Sequence, residues 1–157
     1  MASEIKVDTI VNAGGDNDTG IDLATNDQIL LKVANATRLT MNSTGQTTIV
    51  GEGGSTTTSL QQGLTKVWAK TTADGTSLED SFNVSSLGDT ASGQQTINFS
   101  NNMNNDDHAP THSFVDNQTD IAPWIDSVTT SSYKQNSYHS GSYIDRKHAS
   151  SVNGDLA

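Results

Sequence analysis

The sequence predicts an all-β protein, with an extended N-terminal stretch, a run of short strands and then a small antiparallel β-sandwich or barrel domain. Three observations carry this. Apolar residues recur mostly with period two and many are β-branched: Phe82 and Val84 alternate with Asn83 and Ser85, and Ile97 and Phe99 with Asn98 and Ser100. Turn signals rich in Gly, Asn and Asp punctuate the C-terminal part every 8–15 residues. Leu, Ile, Val and Phe make only 30 of 157 residues, against 40 Ser and Thr and 14 Asn, with a net charge of −10. That balance alone falls on the side of disorder, but a disordered chain has no use for period-two patterning. Identical copies that share one core reconcile the two facts, because oligomerisation supplies burial that a thin chain lacks.

Taken in order, Ile5, Val7 and Ile10 alternate with charged or polar neighbours and read as a strand or extended arm, and AGGDNDTG (13–20) as a turn. Apolar clusters then follow at Ile21/Leu23, Ile29–Val33, Leu39/Met41 and Ile49/Val50, separated by the turn signals TND, ANAT and NSTGQ. Ile29, Val33 and Ala36 keep near-helical spacing, but the runs are short and rich in Thr and Asn, which favours strands. GEGGSTTTSLQQG (51–63) offers little to bury and reads as a linker and domain boundary. Beyond it, LTKVWAKTT is a strand with Trp68 as a core residue, although Lys66 and Lys70 at period two also fit a partly wet edge. Ala73–Ser77 is a turn, and SLEDSFNVSSL and QQTINFS form a hairpin joined by GDTASG. After a polar loop at Asn101–Asp107, the segments THSFVDN, APWIDSVTTSS, SYHSGSYIDR and ASSVNGDLA complete the β reading. Pro110 and Pro123 fall at strand starts or loops, where a missing amide costs little.

The acidity is spread evenly, with net −4 over residues 1–62 and net −6 over 63–157. A chain that repels phosphate along its whole length and has no basic patch is a poor partner for nucleic acid or anionic membrane. Cysteine is absent, so disulfides and thiolate metal sites are excluded. MASEIKVDTIV lacks the basic end and apolar run of a secretory signal, and no apolar stretch approaches a membrane span of roughly 20 residues. Synthesis in the cytoplasm followed by assembly into something else is the expectation.

Three stretches carry a family likeness. MASEIKVDTI at the start, LQQGLTKVWAKTTADGTSLEDSFNVSSLGDTASGQQTINFSNNM in the middle and VNGDLA at the end resemble tail-fibre and related virion structural proteins of marine bacteriophages, those of cyanobacteria and oceanic heterotrophs. The likeness covers residues 1–10 and 60–157 well and 11–59 loosely, while HAPTHSFVDNQTD and KQNSYHSGSYIDRKHASS depart from the pattern. It implies a homotrimer in the virion. Residues 1–15 would be an arm docking through Ile5, Val7 and Ile10 on a virion adaptor or portal-proximal protein. Residues 16–59 would form a short β shaft, and 63–157 a distal domain that contacts the host surface. A capsid or tail decoration protein without host contact is the first alternative, and a free carbohydrate-binding module the second.

No motif speaks for catalysis. There is no GxSxG elbow, and the paired carboxylates Glu79/Asp80 and Asp106/Asp107 are adjacent in sequence, so on a strand they point to opposite faces. Asp16 to Asp27 echoes a calcium loop, but Ile21 stands where the sharp turn needs Gly and Asp27 where a bidentate Glu belongs. In DDHAPTH, Pro110 between His108 and His112 argues against a helical metal pair, and His139 and His148 add no recognisable spacing. Neither metal nor cofactor is expected, with one alternative: in a trimer, a His from this loop of each chain could meet on the axis and bind one ion. Trp124, Tyr133, Tyr138 and Tyr143, among Asn, Ser, Gln and Asp, suggest a surface for a host glycan, with rings under the sugar C–H faces and polar side chains on the hydroxyls. Core packing of the same rings is the competing reading.

Overall fold

The computed structural model describes residues 5–12, 14, 18–51, 53–115 and 121–156. The protein is nearly all β, and it divides into two compact units, residues 1–63 and 64–157.

In the first unit, β1 (Thr9–Val11), β2 (Gly20–Asp22), β3 (Ile29–Val33), β4 (Ala36–Met41), β5 (Thr47–Val50) and β6 (Thr57–Ser59) form one antiparallel sheet in chain order. A single helical turn, α1 (Leu60–Gly63), follows. The stretch that spacing alone allowed as a helix is the β3/β4 hairpin. Its turn is Ala34-Asn35, both at positive φ, the twist a two-residue hairpin requires. The reading of 51–63 as a linker is corrected: Thr57–Ser59 pair with β5, because their backbone groups complete the sheet even though their side chains bury little. Within residues 1–15, read as a strand or extended arm, Thr9–Val11 is a strand paired with β2.

Cross-strand register sorts the side chains of this sheet. Ile10, Ile21, Leu31, Leu39 and Ile49 stand opposite one another in a row across five strands. Ile29, Val33 and Met41 share their face. The other face carries Thr9, Asp22, Leu30, Thr40, Thr48 and Ser59. There Lys32 pairs with Asp22 and holds its carboxyl below the usual range. Among the described residues of this unit no large apolar side chain is buried, and Leu31, mid-row, is 39% exposed.

The second unit has two sheets. One has the order β11 (Ala109–Phe114), β15 (His148–Asn153), β7 (Thr65–Thr71), β8 (Leu78–Phe82). The other has the order β12 (Ile121–Thr129), β13 (Ser132–His139), β10 (Gln94–Phe99), β9 (Val84–Ala91), with β14 (Ser142–Tyr143) paired to β13. Val67, Ala69 and Val152 from the first sheet meet Ile97, Phe99 and Tyr133 from the second in a sandwich-like core. Met103, from the supposedly polar loop, joins them. Polar groups in this interior pair with each other: Gln135 donates to Gln95 at 2.7 Å, and the Tyr133 hydroxyl to Ser150 at 2.6 Å.

Asn83 explains why SLEDSFNVSSL is two strands. Its φ is +57°, so the chain turns a corner there and β8 and β9 enter different sheets. Its side chain fixes the corner, donating to the Lys66 carbonyl at 3.1 Å and accepting from the Asn101 amide at 2.8 Å. The hairpin turn itself is Ser92-Gly93, so Gly88-Asp89-Thr90-Ala91 are strand residues. Gly93 sits at φ +65°, where a Cβ would come within 2.6 Å of backbone atoms of Ser137 and Ile144, so only Gly fits. Trp68 is also corrected. On β7 the residues Val67, Ala69 and Thr71 point inward, leaving Trp68 outside beside Phe82, 38% exposed.

Candidate functional site

Strand register brings three of the four aromatic candidates together. Trp124 lies opposite Asn136, and Ala122 opposite Tyr138, which in turn lies opposite Tyr143. Period two on β12 and β13 therefore puts Trp124, Asn136 and Tyr138 on one face, and β14 adds Tyr143. The ring centroids are 6.2 Å apart for Trp124–Tyr138, 5.7 Å for Trp124–Tyr143 and 5.3 Å for Tyr138–Tyr143, all steeply tilted. Tyr138 meets each of the other two rings edge to face, and Trp124 and Tyr143 remain 36% and 40% exposed. Beneath them Asn136 is buried, and its side-chain NH2 finds no acceptor among the described residues. The part-exposed rings of Trp124 and Tyr143 can take a sugar ring's C–H face, while the Asn136 amide stays beneath them, out of reach of the surface.

Tyr133 does not belong to this surface. It occurs at odd spacing from Tyr138 on the same strand, so it points into the core, where burial pushes its phenol up to about 12. The parity of the spacing, five residues on one strand, was the available signal. Of the docking candidates, Ile5 and Val7 precede β1 and are exposed, whereas Ile10 belongs to the apolar row of the first sheet.

The histidines are rearranged relative to their sequence grouping. His108 packs edge-on against Phe99, with Nδ1 3.2 Å from the Asn105 carbonyl. His112 lies on β11 and faces His148 of β15, a partner that sequence spacing did not reveal. On the surface, Glu79 pairs with Lys147 and with Lys70 at 3.1 Å, and these ammonium groups hold its carboxyl low. Among the described residues, no three His, Cys, Asp or Glu side chains converge on one point, and no helix is long and apolar enough to cross a membrane. Comparison with protein-family models, with curated proteins and with solved structures gives no match.

Proposed function

We propose that this chain is a non-enzymatic structural protein of a bacteriophage virion. It acts as a homotrimeric tail fibre that attaches to the particle by its N-terminal end and contacts a host surface glycan with its C-terminal β-domain. The observation that carries this reading is the first unit's uncovered apolar face. A one-layer sheet has no core of its own, and contiguous exposed apolar surface of this kind marks an assembly interface. Three sheets with this face turned inward bury each other's Ile, Leu and Met rows and leave the Thr- and Asp-bearing faces to water. Threefold closure also makes the contact finite. The family likeness of residues 1–10 and 60–157 supplies the virion setting. Trp124, Tyr138 and Tyr143 supply a weak sugar-binding surface, and three copies per fibre multiply it through avidity.

The test is competition and location. Immunogold labelling on purified virions is expected at the tail. Purified full-length protein is expected to block adsorption to susceptible cells, and Trp124→Ala to weaken that block about tenfold or more. Label on the capsid, with no block of adsorption, overturns the host-contact reading. It leaves instead a decoration protein, a role that the mutual packing of the three rings also suits.

A further inference from the structure

Two imidazoles lie inside the second unit. His112 stands opposite Ser150 and His148 opposite Phe114, so the rings sit diagonally on one strand pair and on its inner face. Their centroids are 5.1 Å apart, and Phe114 packs against both. His148 is fully buried, and no nitrogen of either ring forms a hydrogen bond of proper geometry among the described residues. The side-chain oxygen of Gln135, on the facing sheet, is likewise buried without a donor, and Gln135 lies close enough to His112 to oppose the loss of its proton. Buried polar atoms left bare are a net cost, and native proteins hold few of them without a reason. Here the two neighbouring rings hold four of them, and Gln135 on the facing sheet holds a fifth.

Zinc-type ions sit about 2.0–2.1 Å from an imidazole nitrogen, so two rings on one tetrahedral ion have centres about 5 Å apart. The observed separation matches. Imidazole nitrogens suit Zn2+, Cu2+ and Ni2+, while the lack of any carboxylate disfavours Ca2+ and Mg2+. We propose that His112 and His148, with the Gln135 side-chain oxygen as third donor, form an internal site for one divalent transition-metal ion. Burial lowers the proton affinity of both rings and keeps them in the neutral, ligating form at neutral pH. The site lies within one chain, so it is independent of the trimer and of glycan binding.

The experiment uses chelator-stripped full-length protein titrated with Zn2+ at neutral pH, followed by calorimetry, melting and the imidazole nitrogen resonances. One ion per chain is expected. The resonances of His112 and His148 should move, those of His108 and His139 should stay, and the melting midpoint should rise with Zn2+ while Ca2+ leaves it unchanged. His112→Phe is expected to weaken binding about tenfold or more, and His139→Ala to leave it as it is. The proposal is overturned if millimolar Zn2+ moves neither buried ring, if it moves His139 instead, or if a folded His112→Phe variant binds equally well. Should His112→Phe fail to fold, the wild-type resonances decide the matter by themselves.

Discussion

Residues 64–157 and residues 1–63 are built from the same kind of strand, thinly apolar and rich in Ser and Thr, yet only the first of these regions closes a core of its own. There two sheets face each other, and Ile97, Phe99, Tyr133, Val67 and Val152 interlock between them. In the N-terminal region six strands form one sheet whose Ile10–Ile49 row has no second layer. The difference lies in connectivity rather than composition. Asn83 turns the C-terminal chain from one sheet to the other, whereas every N-terminal connection returns the chain to the strand beside it. A meander of hairpins without a corner residue makes a single layer, and a single layer needs a partner.

The comparison breaks most sharply at Leu39. Leu39→Asp places a charge in the apolar row, and an uncompensated charge in such an interface costs on the order of 4 kcal/mol per chain. Loss of the assembly in sedimentation is expected, with the near-ultraviolet signal of the C-terminal core retained. Retention of the native mass would show that the row is not the interface.

Acid sharpens the comparison from the other side. In chelator-treated protein, His148 is held at about 4 by burial and by the neighbouring His112, against 6.5 when unfolded. Above pH 6.5 the ring is neutral in both states and stability is unaffected. As pH falls below 6.5 the unfolded ring takes up a proton that the folded one refuses. Stability is therefore lost between about pH 6.5 and 4, by roughly 3 kcal/mol, and levels off below. His112, whose proton affinity burial also lowers, adds to the loss in the same direction. Denaturant melts across this range should show the drop in the C-terminal transition and not in the N-terminal one.

Tyr133→Phe is a smaller probe of the same core. It removes the donor to Ser150 while Ser150 keeps the Ala69 carbonyl, so about 1 kcal/mol of C-terminal stability is expected to go, with no effect on assembly. Glu79→Gln, which breaks two surface ion pairs, should move the C-terminal midpoint less than Tyr133→Phe does.

Period two made the strands legible, because alternation is imposed by the strand itself. It carried Ile97/Phe99, Leu39/Met41 and the Trp124–Tyr138 face, and parity would have separated Tyr133 from Tyr138. Partner choice was not legible. Trp68 reads as core by residue type, yet its sequence neighbours Val67 and Ala69 take the inside, a choice fixed by the opposing sheet and invisible locally. The Asn83 corner looks like one more polar residue in an alternating run, and its role depends on Asn101, eighteen residues on. Thr57–Ser59 resembled a linker because strand pairing uses backbone groups that every residue carries. His112 and His148 were each visible but not as a pair: 36 positions separate them, and only sheet order makes them neighbours.

The most direct measurement is the native mass of the full-length chain at micromolar concentration. A species of three times 16.6 kDa is expected, with backbone amides of residues 29–50 protected from exchange only while that species persists. A single 16.6 kDa chain with those amides equally protected would contradict it, because the N-terminal sheet would then stand with its apolar face in water and need no copy of itself.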